Sequence, residues 1–262
     1  MLSVEGVTKV FAQHTANEKV ALRDLSLRLD PGDFVTVIGS NGAGKSTLLN
    51  LIAGEYRPDQ GQIWIDGRNV TRMPDHQVAR LVGRVFQDPL AGTAPHGTIE
   101  QNLAMAYARG HRRGLRTGVT HAKRAVFREE LARLELGLED RLKTDAGLLS
   151  GGQRQALSLV MATFGSPRLL LLDEHTAALD PQRAELILRL TVDAVQRHEL
   201  TTLMVTHNMQ QALEMGNRLV MMHEGQIIYE LSGQQKRQAS VDDLMAQFRR
   251  VKGELADRSL LS

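Results

Sequence analysis

The sequence lacks cysteine altogether, and it lacks long apolar runs. The absence of cysteine excludes disulfides, thiolate metal ligands and a cysteine nucleophile. No apolar run approaches the roughly 18–20 residues that cross a bilayer, and the N-terminus has neither the basic start nor the apolar stretch of a secretory signal. We therefore expect a cytoplasmic protein that reaches a membrane only through a partner.

An excess of charge of one sign is also missing. The chain of 262 residues has 32 Lys and Arg against 30 Asp and Glu, a formal net charge of +2. This value is too near neutral to indicate a nucleic-acid-binding protein by itself. Hydrophobic residues make up 42% and charged residues 24% of the chain, the ordinary balance of a globular protein with a substantial core.

Apolar patterning predicts strands in the first ninety residues and again after residue 168. Leu25–Leu29 alternates with a period of two, which predicts a half-buried strand. Phe34–Ile38 is continuously apolar and predicts a strand buried on both faces. Gln62–Ile65 precedes the turn pair Asp66-Gly67 and predicts one arm of a hairpin. Three later runs alternate with helical stretches, which favours a mostly parallel sheet flanked by helices: Leu169–Leu172, Thr202–Val205 and Leu219–Met222.

Helical periodicity marks the middle and the end of the chain. One predicted face comprises Ile99, Leu103, Ala106 and Tyr107, and another comprises Val126, Phe127, Leu131 and Leu134, with a predicted loop at 110–118 between them. We therefore predict an α/β core at 1–87 and 166–232, with an N-terminal antiparallel part and an inserted helical lobe at 88–165. Residues 233–262 are predicted as an amphipathic helix after a Ser240-x-x-Asp243 cap. That helix either docks on the chain or binds a partner.

A phosphate-binding motif follows the apolar run Phe34–Ile38. Residues 39–46 match the pattern G-x-x-x-x-G-K-[ST]. Glycines allow backbone N–H groups to surround phosphate oxygens, and the next helix directs its positive N-terminus at the same anion. Lys45 is predicted to reach the β- and γ-phosphates, and the Ser46 hydroxyl to bind Mg²⁺. A glycine-rich turn without a ligand is the alternative. The predicted nucleotide-binding residues of this loop are Gly39, Ser40, Asn41, Gly42, Ala43, Gly44, Lys45, Ser46 and Thr47.

Two carboxylates follow the apolar run Leu169–Leu172. The carboxyl ends of strands in α/β sheets are where ligands bind. Asp173 is therefore predicted to hold Mg²⁺ through water, and Glu174 to polarise an attacking water molecule. The alternative interpretation is a solvated turn.

Between these two motifs stands Leu149-Ser150-Gly151-Gly152-Gln153. The phosphate-binding motif, this motif and the two carboxylates follow one another in the order found in the ATP-binding-cassette (ABC) ATPases. Residues 1–230 resemble that family. The resemblance implies a two-fold dimer of this chain with two ATP molecules and Mg²⁺ at its interface. It also implies the following roles: Phe11 stacks on adenine; Gln87 contacts Mg²⁺ and the attacking water; His207 hydrogen-bonds the γ-phosphate; Ser150, Gly151, Gly152 and Gln153 cap the partner's nucleotide; and Asp180 belongs to a loop that crosses the interface.

The sequence departs from the pattern of the family at two places. His175 stands where the family has proline after the two carboxylates, and it is either a backbone variant or an imidazole that perturbs Glu174. The connection at 14–19 is longer than usual, which affects the stacking geometry expected of Phe11.

The chain carries one set of these motifs and no predicted membrane span. In this it resembles the separately encoded ATPase subunit of a bacterial importer. The resemblance implies a membrane permease whose cytoplasmic helix meets the helical lobe, a substrate-binding protein, and a position on the inner face of the membrane. Amino acids, aromatic ones among them, or sugars are the expected solutes, and no nucleic acid is expected. An exporter ATPase and a soluble ABC ATPase acting on nucleic acid or ribosomes are the alternatives. The second is disfavoured. Chromosome-type members of the family have a long coiled coil, and no sustained heptads separate Lys45 from Ser150. Translation-type members carry two cassettes in one chain.

The segment 109–128 is basic throughout. It carries seven Lys and Arg residues and no acidic residue. A solvated surface, contact with the permease or anionic lipid headgroups, and nucleic acid are the interpretations left open. The basic residues are Arg109, Arg112, Arg113, Arg116, Lys123, Arg124 and Arg128.

Overall fold

A computed structural model describes residues 1–109 and 118–260, with side chains described up to residue 250. No helix within these residues is long and apolar enough to span a bilayer. The strands are β1 Leu2–Phe11, β2 Lys19–Leu29, β3 Phe34–Gly39, β4 Gln60–Ile65, β5 Arg68–Asn69, β6 Val82–Val85, β7 Leu169–Asp173, β8 Thr201–Val205, β9 Arg218–His223 and β10 Gln226–Ser232. The helices are α1 Lys45–Ile52, α2 Asp75–Val78, α3 Ile99–Tyr107, α4 His121–Ala132, α5 Gly151–Thr163, α6 Pro181–Arg197, α7 Met209–Glu214, α8 Gly233–Gln238 and α9 Val241–Leu260, with a 3₁₀ turn at Ala146–Leu148.

Backbone contacts divide the chain into two compact units. The first unit comprises Met1–Thr71 with Leu203–Ser262, and the second comprises Arg72–Thr202. The predicted division into a core at 1–87 and 166–232, a helical lobe at 88–165 and a C-terminal helix at 233–262 stays a prediction.

An antiparallel sheet in the order β2-β1-β4-β5 occupies the N-terminal part of the first unit. The alternation predicted at Leu25–Leu29 is confirmed, because the three leucines of this segment are buried while Ser26 and Arg28 are exposed. The predicted hairpin is confirmed as well. Asp66 and Gly67 have φ values of +52° and +72° and join β4 to β5, as a two-residue turn with both central residues in the left-handed region requires.

The remaining strands of the first unit run in the order β10-β9-β3-β8. β3 pairs with β9 in parallel, with Val37 opposite Val220. The predicted double burial of β3 is confirmed, because Phe34–Ile38 is buried at every position. β10 adds an antiparallel edge to β9. The patterning did not predict β10, since Leu231 is the single buried position of this strand.

The second unit pairs β6 with β7 in parallel and packs α3, α4, α5 and α6 around one apolar cluster. The predicted helical faces are confirmed except at Val126. Phe127 and Leu131 are fully buried and Leu134 nearly so, whereas Val126 is 40% exposed. These three residues follow i, i+4, i+7 spacing, and Val126 lies outside that stripe. Most of the predicted loop at 110–118, with Arg112, Arg113 and Arg116 of the basic segment, lies outside the described residues.

The C-terminal segment of the first unit contains α8 and α9 rather than one helix. The predicted cap of α9 is confirmed, because Ser240 Oγ accepts from the Asp243 N–H at 3.2 Å, and Asp243 Oδ2 accepts from the Ser240 N–H at 2.8 Å. Leu244 is fully buried in a cluster with Met221 and Leu231. The start of α9 is therefore docked on the chain.

Replacing Leu244 by alanine tests how much this docking contributes. The substitution leaves a cavity against Met221 and Leu231, and we expect the free energy of unfolding to fall by roughly 2–5 kcal/mol. Met245→Ala is the matched control, because Met245 is 37% exposed on the same turn, and it should change stability by about 0.5 kcal/mol or less. Urea unfolding of both variants measures the difference. Equal losses would show that α9 is not anchored through Leu244.

Candidate functional site

The predicted phosphate loop joins β3 to α1 within the first unit. Gly42 and Gly44 have φ values of +81° and +97°, a region that residues with a Cβ enter only at a cost. The Ala43 N–H donates to the Ser40 carbonyl at 3.1 Å and closes the turn. The structure thus places the nine predicted residues in one tight turn and the helix start after it: Gly39, Ser40, Asn41, Gly42, Ala43, Gly44, Lys45, Ser46 and Thr47.

Two glycines of this loop are also required by packing. A Cβ on Gly39 would lie 2.4 Å from the carbonyl oxygen of Met222, and a Cβ on Gly44 would lie 2.5 Å from that of Ala21. Backbone atoms of β9 and β2 cannot move aside as a flexible side chain would. The loop is therefore fixed by its neighbours on two sides.

The Lys45 ammonium lies inside the loop. Its side chain is 7% exposed, and Nζ donates to the carbonyl oxygens of Gly39 at 2.7 Å and Ser40 at 3.1 Å. The positive N-terminus of α1 begins at the same residue. A phosphate bound here would meet a full positive charge, a helix terminus and backbone N–H groups together.

In the second unit, Gln87, Asp173 and Glu174 lie at one edge of the β6–β7 pair. The two strands are parallel neighbours, so the residues at their carboxyl ends share an edge. Gln87 Nε2 donates to Glu174 Oε2 at 3.5 Å. Glu174 has φ of +42°, a left-handed conformation that costs about 1–2 kcal/mol for a residue other than glycine. The structure thus brings the predicted metal and water-activating residues of this unit together.

The predicted signature residues form the start of α5. Ser150 is the N-cap, its Oγ accepts from the Gln153 N–H at 3.3 Å, and Gln153 Oε1 accepts from the Ser150 N–H at 3.2 Å. This capping box satisfies two terminal N–H groups. The N–H groups of Gly151 and Gly152 belong to the first helical turn, the position at which helices bind anions.

Asp180 caps the next helix, α6. Its side chain accepts from the Arg183 N–H at 3.1 Å, and its carboxylate pairs with Arg183 Nε at 3.2 Å. Pro181 occupies the first helical position, where its missing N–H and fixed φ suit a helix start. In the described structure, the Asp180 carboxylate serves this local cap.

Phe11 and His207 are the two remaining predicted site residues of the first unit. Phe11 is half-buried at the end of β1, and its ring meets that of Tyr56 edge-on with centroids 5.4 Å apart. The Lys9 ammonium lies 5.5 Å from the centre of the Phe11 ring. His207 is exposed after β8, one residue before the Asn208 cap of α7.

The donor atoms available for a metal are oxygens. Among the side chains that the structure describes, no group of three or more His, Cys, Asp or Glu is arranged to hold a metal ion alone. Mg²⁺ characteristically uses one or two protein oxygens and completes its shell with phosphate oxygens and water. Because Gln87 directs its Nε2 to Glu174, its amide oxygen is the atom of that side chain suited to a cation. Ser46 of the first unit, and Gln87 and Asp173 of the second, therefore each offer an oxygen of the kind that Mg²⁺ takes together with phosphates.

Comparison with known proteins gives sequence relatives along almost the whole chain. It is 39% identical to the tyrosine transport ATP-binding protein of Clostridioides difficile (strain R20291), over 95% of this chain and 98% of that protein. It is 34% identical to the methionine import ATP-binding protein MetN of Symbiobacterium thermophilum, over 87% of this chain and 66% of MetN. It is 32% identical to the spermidine/putrescine import ATP-binding protein PotA of Protochlamydia amoebophila. This chain spans 57% of that protein.

Solved structures and a family profile agree with these relatives. The dimeric post-hydrolysis structure of the ATP-binding cassette MJ0796, bound to ADP and Pi, superposes with a TM-score of 0.75 at 29% identity. The match covers 88% of this chain and 98% of that one. Residues 22–177 match the family described as ABC transporter. The chain belongs to the ABC transporter family. It is an ABC ATPase, and the predicted fold class, an α/β nucleotide-binding core with an inserted helical lobe, is confirmed.

Sequence reasoning missed three contacts in this ABC ATPase. Arg84 Nη2 pairs with Asp173 Oδ2 at 2.9 Å. Gln155 Nε2 donates to the Phe86 carbonyl at 3.1 Å, one residue before Gln87. Tyr56 meets Phe11, as described above. Each of these residues lies close in sequence to a motif, but no local pattern identifies its partner, because the partners are set by strand and helix pairing.

His175 distinguishes this ABC ATPase from the family pattern, and the structure shows where its ring lies. The side chain is 1% exposed, and Nε2 lies 3.1 Å from Thr191 Oγ1 on α6. Among the described residues, Nδ1 has no hydrogen-bond partner. Burial lowers the pKa of His175 from 6.5 to about 4. The imidazole ring of His175 is thus neutral, and it packs the chain directly after Glu174 against α6.

This burial predicts an acid-sensitive contribution to the stability of the ABC ATPase. An unfolded His175 binds a proton below about pH 6.5, whereas the folded one stays neutral down to about pH 4. The contribution is therefore present above pH 6.5 and is lost as the pH falls towards 4, by up to about 3 kcal/mol. His175→Gln should flatten the free energy of unfolding in this window. The control His76→Gln, at a histidine whose side chain is 68% exposed, should not. Parallel pH profiles for both variants would contradict the assignment.

Proposed function

We propose that this chain is the ATP-hydrolysing subunit of an importer for an amino acid of aromatic type, acting with a separate membrane permease. The observation that carries the ATPase part is the phosphate loop. In that loop the buried Lys45 ammonium is held by the carbonyl oxygens of Gly39 and Ser40 at the N-terminus of α1. The support for the solute is the 39% identity to a tyrosine transport ATP-binding protein along almost the full length of both chains.

Residues of the first unit bind the nucleotide. Lys45 turns from the loop carbonyls to the β- and γ-phosphates, and the N–H groups of residues 39–47 surround them. The Phe11 ring stacks on adenine, and His207 donates to the γ-phosphate. Ser46, Gln87 and, through water, Asp173 would hold Mg²⁺, which would supply positive charge to the phosphates. The Lys45 ammonium, the helix terminus and the backbone N–H groups together favour the dianionic γ-phosphate over neutral ligands.

Residues of the second unit position the attacking water. Glu174 accepts a proton from that water as it attacks the γ-phosphate, and the Gln87 hydrogen bond to Glu174 Oε2 holds the carboxylate in place. Such a base contributes typically 10²–10⁴-fold to a rate. His175 is not the base in this proposal, because its ring is buried against α6.

The active form is a dimer of two copies of this chain. Ser150, Gly151, Gly152 and Gln153 of one copy cap the γ-phosphate held by the other, and Asp180 lies in the loop that crosses the interface. The capping-box geometry of Ser150 supports this assignment, since it leaves the first-turn N–H groups of α5 directed along the helix axis. The dimer form described for the cassette MJ0796 supports it as well.

The permease docks on the second unit, on the inner face of the membrane. Large apolar side chains exposed on this unit include Leu148 at 74%, Met105 at 52% and Leu90 at 45%. Exposed apolar side chains of this size suit the apolar face of a partner helix. A substrate-binding protein completes the importer by delivering the solute to the permease.

Glu174→Gln tests the site. The change keeps size and hydrogen-bonding reach but removes the basic oxygen, so ATP hydrolysis should fall by about 10²–10⁴-fold while ATP still binds. The variant should then elute from size exclusion as a dimer with ATP but not with ADP. Lys45→Ala should instead lose ATP binding, and Glu185→Gln, at an exposed position of α6, should behave as the wild type. Near-wild-type turnover in Glu174→Gln would contradict the base assignment.

Affinity purification from detergent-solubilised membranes tests the transport role. We expect the tagged protein to bring down a hydrophobic permease in stoichiometric amount. Leu148→Glu should reduce this yield at least about tenfold, since burying an unpaired charge costs more than 1.4 kcal/mol. Val20→Glu, at a 38% exposed position of the first unit, is the matched control. Deleting the gene should then abolish tyrosine uptake. Ribosomal proteins or DNA in place of a permease would refute the importer function, and unchanged tyrosine uptake would refute the solute.

A further inference from the structure

Arg84 lies opposite the strand that carries the two carboxylates. β6 and β7 are parallel, and Arg84 pairs with Leu171 in their register. Paired residues of neighbouring strands point to the same face, as do residues two apart on one strand. Arg84 and Asp173 therefore share a face of the sheet, and the long arginine side chain bridges the two-residue offset along β7.

The contact between the two side chains is buried and oriented. Arg84 Nη2 lies 2.9 Å from Asp173 Oδ2, and the two side chains are 11% and 14% exposed. The guanidinium carbon also lies 4.6 Å from the centre of the ring of Phe86, the residue that follows the end of β6. An ion pair so enclosed differs from a surface pair, whose energy solvent screening reduces to nearly nothing. Removing one partner leaves the other charge buried without compensation.

We propose that Arg84 is a positioning residue that neutralises Asp173 whenever Mg²⁺ is absent, and so makes nucleotide binding less dependent on Mg²⁺. This inference rests on the proposed function, in which Asp173 serves the metal of bound ATP. Arg84 acts through Asp173, the side chain with which it is paired.

The direction of the effect follows from charge. ATP without Mg²⁺ carries about four negative charges, and an uncompensated Asp173 carboxylate would repel them. Arg84 cancels most of that repulsion. When Mg²⁺ is bound, the metal compensates the same carboxylate, so the arginine contributes less. Loss of the arginine should therefore lower the affinity for ATP most when the metal is absent.

The experiment measures the affinity for ATP with excess EDTA and with Mg²⁺, by equilibrium binding of a fluorescent ATP analogue. Arg84→Met keeps much of the length of the side chain and removes its charge. We expect its affinity to fall by about tenfold in EDTA and by less than about threefold with Mg²⁺, as partial screening of one charge predicts. Thermal unfolding checks that the variant is folded. Should it not fold, Arg84→Gln, which retains an N–H donor, replaces it with the same expectation.

Three controls separate this role from general stabilisation. Arg84→Lys retains the charge and should stay close to the wild type in EDTA. Arg124→Met removes a comparable pair in the same unit, in which Arg124 Nε lies 2.7 Å from Glu100 Oε2, and should leave the ratio of the two affinities unchanged. In an Asp173→Asn background, Arg84→Met should add nothing to that ratio.

The outcomes distinguish this inference from the proposed function. A wild-type protein that binds ATP in neither condition would refute the proposed function. A wild-type protein that binds normally, with Arg84→Met losing the same factor in EDTA and in Mg²⁺, would overturn the role of Arg84 alone. An equal change in the ratio with Arg124→Met would overturn it as well.

Discussion

The close approach of three backbone segments at the phosphate loop is the constraint on which the first unit depends. A Cβ at Gly39 or Gly44 would lie within 2.5 Å of a carbonyl oxygen of β9 or β2, so the loop fits only because these positions are glycine. The same tight turn brings the carbonyl oxygens of Gly39 and Ser40 within reach of the Lys45 ammonium. The packing of the strands thus fixes the conformation of the loop in the absence of an anion. Little reorganisation of the loop is then needed when an anion binds.

The second unit prepares its carboxylates in a different way. Asp173 ends β7, whose other four residues are buried, and Glu174 follows it. Carboxylates next to a buried strand cost free energy without partners. Arg84 compensates the first, and Gln87 donates to the second. Glu174 also keeps a left-handed backbone, a strain that the packing of β7 and of His175 on α6 sustains. Rigid neighbours therefore hold the reactive groups in each unit.

Much of the fold and site is predictable from the sequence, because the informative signals are local. Residues 39–46, 149–153 and 173–174 each identify a chemistry within a few positions, and Leu25–Leu29 shows its exposed and buried faces by alternation. Contacts set by register are not readable in this way. The partner of Arg84 depends on which residue of β7 lies opposite it, and the exposure of Val126 depends on the rotation of α4. The sequence leaves His175 as either a backbone variant or an imidazole that perturbs Glu174, and the contact of its ring with Thr191 depends on how α6 packs.

The hydrogen bond from Gln155 to the Phe86 carbonyl has a mechanical consequence. It ties the second turn of α5, which begins at the signature residues, to the residue before Gln87. Gln155 is fully buried, so breaking this bond would leave polar groups unpaired in a low-dielectric environment, which is costly. If α5 tilts and this hydrogen bond is kept, Phe86 and the adjacent Gln87 must move together with the helix. The signature residues at the start of α5 and the Gln87 segment are therefore mechanically linked within the second unit.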